Sequence, residues 1–227
     1  ETLDKYAPGK SSFLSPRRQI SENEFNDRQK VDSALEAAQR INDFAHRIAS
    51  CHSEESRLLT KKGSLLPWKS LDVPLDKNFG TKFKVLFGIT PSTVKAEELI
   101  TETEALGPCI LSLVSSDREQ HYFLFIAHTG ILDEALDLLK VKGFSQVSFR
   151  DVEGTAGQEI AKIDAELETL AKEREGFIAQ IKDLAQSREV IQQSIDLLTI
   201  ESKRDEVING LAGTNSTVFL EGWTPVA

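Results

Sequence analysis

The sequence predicts an α+β protein: a long antiparallel two-helix coiled-coil hairpin, with a ferredoxin-like βαββαβ lobe at its tip and a partial α/β lobe at its base. Three observations carry this expectation. Two stretches, one before residue 66 and one after residue 155, place apolar or small side chains at alternating steps of three and four, the spacing of a supercoiled helix seam. Between them the pattern changes to short apolar runs punctuated by turn residues. Finally, Thr217-Val218-Phe219-Leu220-Glu221-Gly222-Trp223-Thr224-Pro225 is a strand-like run with no strand beside it in sequence, so its sheet partners must be brought from elsewhere.

The first residues, Glu1 to Tyr6, read as a helix end stopped by Pro8-Gly9, followed by a polar loop through Pro16-Arg17-Arg18. Ser21 and Glu24 have the spacing of a capping box, which predicts a helix start. From there Val31, Ala34, Ala38, Ile41, Ala45 and Ile48 hold the seam, and Leu35, Phe44, Cys51 and Leu58 widen it as if the helix touched more than one neighbour. One helix from Ser21 to Leu65 would be roughly 68 Å long.

In the middle, Lys82 to Thr90 reads as a strand, and Thr90-Pro91 as an N-cap with proline at the first helical position, opening a helix to about Leu106. Cys109 to Val114 and Tyr122 to Ala127 form a hairpin around a polar loop. Ile131 to Lys140 is an amphipathic helix ended by Gly143, and Phe144 to Phe149 alternates again. The resulting β-α-β-β-α-β order is that of the split βαβ arrangement.

Thr155 and Gln158 make a second capping box. Behind it Ile160, Ile163, Leu167, Leu170, Arg174, Phe177, Ile181, Leu184, Arg188, Ile191, Ile195 and Leu198 continue the seam without a slip, predicting one helix to about Leu211. The expected organisation is therefore residues 1–20 with 212–227 as a partial proximal lobe, 21–66 and 155–211 as the coiled-coil arms, and 67–154 as the distal lobe.

The composition excludes several function classes. A formal charge of -9 argues against nucleic acid as a partner, because phosphate backbones are held by clustered Lys and Arg. No apolar run reaches the roughly 20 residues that span a bilayer. The absence of any Met, position 1 included, suggests a piece of a longer chain. Cys51 and Cys109 lie far apart and read as reduced, buried small side chains of a cytosolic protein.

A catalytic site needs a nucleophile with a base, paired carboxylates, a metal cluster or a phosphate cradle, and the sequence offers none of these; no cofactor is expected. His46 and His52 do not share a helix face at ligand spacing, and His121 and His128 flank a strand. Gly154-Thr155-Ala156-Gly157 has a nucleic-acid-clamp spacing but lacks basic neighbours, and reads as a helix entry. Arg174 and Arg188 occupy seam positions two heptads apart and read as polar residues that set register. Trp68, after Pro67, and Trp223 read as core anchors of their lobes ahead of exposed binding hot spots. Gly222 reads as a bulge or close backbone approach, with Pro225 ending the strand.

The string Val218-Phe219-Leu220-Glu221-Gly222-Trp223-Thr224-Pro225 after a long heptad helix resembles the VLEGWVP segment of the large stator subunit of rotary V-type and archaeal-type ATPases, called subunit I in bacteria and archaea and subunit a in eukaryotes. Lys5-Tyr6-Ala7-Pro8, Pro67-Trp68-Lys69-Ser70-Leu71-Asp72-Val73-Pro74-Leu75, and Gly143-Phe144 ahead of Glu153-Gly154-Thr155 resemble the same family in order and spacing. Thr224 stands where many members have Val.

That resemblance implies a non-enzymatic stator part on the cytoplasmic side of the membrane. The implied partners are peripheral-stalk helical heterodimers, other V-type ATPase subunits, and a membrane domain of the same parent chain. It assigns no stalk-binding residue, and Phe219, Leu220, Glu221, Gly222, Trp223, Pro225, Pro67 and Trp68 serve as family markers. Two other readings stand beside it: a generic coiled-coil interaction protein with a hinge-like tip, and a small-molecule sensor using the ferredoxin-like lobe.

Overall fold

The computed structural model describes residues 2–9, 19–75, 81–149, 152–211, 213, 216, 217 and 219. Helices and one antiparallel sheet make it an α+β chain. It divides into two compact units, Glu1–Cys51 with Lys172–Ala227, and His52–Ala171.

The named elements of the first unit are helices. Helix α1 spans Thr2–Tyr6 and α2 spans Glu22–Phe25, with Ser21 Oγ accepting from the Glu24 backbone N–H at 3.3 Å. The single helix expected from Ser21 is interrupted. α2 closes after one turn, and α3 (Arg28–Leu65) starts afresh behind Asp27, whose carboxylate accepts from the Gln29 N–H at 3.1 Å. An Asp side chain that caps the following helix competes with continuation of the preceding one. In this unit α3 buries Val31, Ala34, Ile41 and Ile48 of the expected seam and Cys51 of its flank; Ala37 is buried where Ala38 is expected, Ala38 and Ala45 are half-buried, and Leu35 is exposed.

The second seam does slip. α6 runs from Ala156 to Leu184, a 3-10 turn covers Ala185–Ser187, and α7 follows from Arg188 to Gly210. The expected positions hold their burial as far as Arg188, but beyond the turn Ser194 and Leu197 are buried while Ile195 and Leu198 are exposed. The geometry accounts for the shift. A 3-10 turn advances 120° per residue against 100° in an α-helix, so three such residues add roughly 60°. After that rotation the residue before each expected seam position lies nearer the seam than the expected one.

The second unit is built on a four-stranded sheet of order β2-β3-β1-β4, with every neighbouring pair antiparallel. Its strands are β1 (Phe83–Pro91), β2 (Cys109–Ser116), β3 (Gln120–His128) and β4 (Ser145–Val147). Helix α4 (Ala96–Glu104) follows β1, and α5 (Leu132–Val141) follows β3. A bulge at Val114 shifts the β2–β3 register between Leu113 and Ser115. Gly143, with φ of +86°, ends α5 in a Schellman arrangement: its N–H donates to Lys140 O, and the Phe144 N–H to Leu139 O, both at 2.9 Å.

Both faces of this sheet are covered. Leu99, Leu111, Phe123, Phe125, Ala135, Leu139 and Phe144 pack on the side of α4 and α5. On the other side Phe87 and Leu124 meet Leu58, Leu65 and Trp68 from the end of α3 and its following turn, and Ala156, Ile160 and Ile163 from the start of α6.

Thr90-Pro91 does not open a helix. β1 continues through both residues, which pair with His121 and Gln120 of β3, and α4 starts only at Ala96. Proline tolerates this place because a strand end need not supply its N–H to the ladder. The buried Thr90 hydroxyl is left without a hydrogen-bond partner. Thr90→Val keeps the shape and removes an unsatisfied polar atom worth about 1 to 3 kcal/mol. The expected result is an unchanged or higher urea midpoint, and a clear drop would reveal a partner for that hydroxyl.

Candidate functional site

Pro67 and Trp68 occupy a 3-10 turn, Leu66–Trp68, directly after α3. The Pro67 carbonyl accepts from Ser115 Oγ at 2.8 Å, tying the turn to β2. The Trp68 indole, 1% exposed, meets three rings edge-on: Phe87 at 5.5 Å, and Tyr122 and Phe149 at 5.6 Å between centroids. Edge-to-face contact is favourable because positive ring edges approach negative ring faces. Trp68 is therefore an anchor in the core beneath the sheet, and not an exposed hot spot.

Beside it lies an ion pair that periodicity alone does not single out. Lys61 Nζ donates to Glu159 Oε1 at 2.6 Å, and Lys162 Nζ lies 3.5 Å from Glu159 Oε2. Burial pushes the Glu159 carboxyl up, but the hydrogen bond and charge of Lys61, with Lys162 behind, outweigh it and leave its pKa lowered. A lowered folded-state pKa stabilises above the unfolded value of 4.5 and is lost as pH falls through the folded value. The urea midpoint should thus drop on acidification below about 4.5 by more in the native chain than in Glu159→Gln. Equal acid sensitivity of the two proteins would rule this contribution out.

The two seam arginines differ in their surroundings. Arg174 is half-buried on α6. Arg188, first residue of α7, donates from Nη1 to Asp4 Oδ1 at 2.5 Å and from Nη2 to Ala7 O at 2.7 Å, fastening α1 to the start of α7. The same hydrogen bond holds the Asp4 carboxyl below its ordinary range. Phe44 of α3 stacks on Phe177 of α6 at 5.9 Å, with the Arg47 guanidinium 5.6 Å from the Phe177 ring. Of the closing motif, Thr217 and Phe219 are exposed and outside any strand; Leu220, Glu221, Gly222, Trp223 and Pro225 lie outside the described residues.

One place gathers a serine, a histidine and an aspartate. Ser116 Oγ is 2.7 Å from His121 Nδ1, but Asp117 is engaged elsewhere, accepting from Tyr122 Oη at 2.7 Å and from the Glu119 and Gln120 N–H groups at 2.8 Å. These bonds, the Tyr122 one foremost, lower the Asp117 pKa. The aspartate thus shapes the β2–β3 turn and is not bonded to the imidazole, so the group lacks the oriented base of a hydrolytic triad. Cys51 and Cys109 are both buried and free. Among the described residues no cluster of three or more His, Cys, Asp or Glu could hold a metal ion. No helix there is long and apolar enough to cross a membrane.

No family model matches the chain. Among curated proteins it is 26% identical over 198 residues to the A-type ATP synthase subunit I of Methanocaldococcus jannaschii, covering 84% of this chain and 28% of that protein. The chain therefore spans little more than a quarter of that relative's length. This similarity bears out the resemblance read from the motifs. Among solved structures, the cytoplasmic N-terminal domain of subunit I, homolog of subunit a, of V-ATPase matches with a TM-score of 0.48 and 16% identity, over 91% of this chain and 66% of that one.

Proposed function

Starting from the chain's similarity to subunit I of the A-type ATP synthases, we propose that it is a non-catalytic stator element of a rotary V-type or archaeal-type ATPase. In this reading it links peripheral stalks, made of helical heterodimers, to the membrane sector, on the cytoplasmic side and joined to a membrane domain of the same parent chain. The observation that carries the proposal is the ordered set of motifs from Lys5-Tyr6-Ala7-Pro8 to Trp223-Thr224-Pro225, together with a curated relative similar across most of the chain.

A stator must resist torque without doing chemistry, and the physical features agree with that task. Residues 21–66 and 155–211 are proposed as antiparallel arms, whose many seam contacts spread strain. Arg174 and Arg188 are the proposed polar positions of that seam. Residues 67–154 form the proposed distal lobe; its sheet order with α4 and α5 supports a ferredoxin-like assignment. Residues 1–20 and 212–227 are proposed as part of a proximal lobe, with Phe219 to Pro225 closing its core.

Titration calorimetry with the purified stalk heterodimer tests the reading. Saturable binding to this chain is the expected result. Absence of binding in every nucleotide condition overturns it.

A further inference from the structure

The sequence of α7 and its burial disagree. Ile191, Ile195 and Leu198 continue the seam of α6, yet Ile195 is 56% and Leu198 37% exposed, while Ser194 and Leu197 are buried in their place. The offset comes from the 3-10 turn at Ala185–Ser187, which contains neither Gly nor Pro to require it. Hydrogen bonds are poorer in 3-10 than in α-helix, so such a turn persists where something outside it fixes its ends.

Polar contacts fix α7 at both ends. At its start Arg188 donates to Asp4 of α1 at 2.5 Å and to the Ala7 carbonyl just behind α1 at 2.7 Å. Toward its far end Glu201 accepts from the Arg28 guanidinium of α3, from Nη1 at 3.1 Å and from Nη2 on its other oxygen. Glu201 lies one turn beyond Leu197, and so belongs to the register that is buried; Ser202, one turn beyond Leu198, belongs to the register that is not.

Apolar burial does not favour this arrangement. If Ala185–Ser187 closed into α-helix, α7 would turn back by roughly 60° and draw in by roughly 1.5 Å. The Arg188 N–H, which donates to Ala185 O in the 3-10 turn, would donate to Leu184 O instead. Leu198 would then take the centre of the seam and Leu197 its flank, one leucine exchanged for another. Ile191 and Ile195 would both turn toward the seam. With similar apolar burial in the two registers, a few polar contacts decide between them.

We propose that α1 is a register switch for α7. Docked on Arg188, α1 holds the 3-10 turn and the Leu197 register; released from Arg188, it lets α6 and α7 run as one helix in the Leu198 register. The apolar face of Ile195 and Leu198 is thus open only while α1 is docked. Every residue of the switch belongs to the first unit.

Cysteine accessibility provides the test. Leu197→Cys and Leu198→Cys are made singly in the 227-residue chain, and maleimide labelling is followed above the background of the buried Cys51 and Cys109. With Arg188 present, position 198 labels faster than position 197. Adding Arg188→Gln should reverse the order, slowing position 198 and accelerating position 197, each by at least about tenfold. Asp4→Ala, at a side chain 65% exposed and remote in sequence from the turn, should move both rates the same way by less. Unchanged rates at both positions overturn the proposal. Acceleration at both positions overturns it equally, since that is fraying of α7 and not rotation.

Discussion

Trp68→Ala should be among the most damaging single truncations in the second unit, lowering its stability by about 3 to 5 kcal/mol in urea unfolding followed by helical circular dichroism. The indole fills a space bounded by Phe87, Tyr122 and Phe149, and Leu58, Leu65, Ala156 and Ile160 belong to the same core. Truncation removes three edge-to-face contacts at once and leaves a cavity that the strand backbone cannot collapse to fill. Trp68→Phe retains an aromatic ring and should lose about half as much or less. A loss under about 1 kcal/mol for Trp68→Ala would mean that the turn after α3 is not an anchor.

Gly88→Ala should be comparably severe, although it adds a single methyl group. A Cβ at Gly88 would lie 1.9 Å from Phe144 Cζ and 2.3 and 2.5 Å from its two Cε atoms. Neither side can retreat easily. Gly88 is paired on both edges, to Phe123 of β3 and Gln146 of β4, and the Phe144 ring is buried against α5. Overpacking of this kind typically costs about 1 to 3 kcal/mol, and contacts this short place the variant at or above the upper end. Replacing Phe144 by Leu in the same chain should recover part of the loss, giving a favourable coupling in a double-mutant cycle. Additive effects would show that the clash is not with that ring.

What the sequence made legible follows a physical division between local and distant causes. The Thr155–Gln158 capping box forms reciprocally, with the Gln158 N–H donating to Thr155 Oγ1 at 3.3 Å and the Thr155 N–H to Gln158 Oε1 at 3.1 Å, because both partners lie within one turn. The strands and the α3 stripe were legible for the same reason, each being a period written into consecutive residues. The 3-10 turn at Ala185–Ser187 was not, since it holds neither Gly nor Pro and the arginine following it is held by Asp4 and Ala7, far away in sequence. At Thr90-Pro91 a valid local helix-start signal lost to ladder pairing with β3, which lies thirty residues on. The Lys61–Glu159 pair was equally hidden, because nothing in either helix alone announces the other.

Because Leu58 and Leu65 at the end of α3 share a core with Ile160 and Ile163 at the start of α6, the residues between them govern how these helices find each other. In the unfolded chain the two segments are the ends of a long flexible loop, and closing it costs entropy that rises with the logarithm of its length. Once the sheet has formed, Phe87 and Leu124 present one surface to both helix ends, and the effective connection becomes short. The folding order that follows is strands first, with helix pairing nucleated at Leu65 and Ala156 and spreading away from the sheet. Pulsed hydrogen exchange during refolding should accordingly protect Phe123 and Phe125 before Ile48 and Ile181, and the reverse sequence would contradict it.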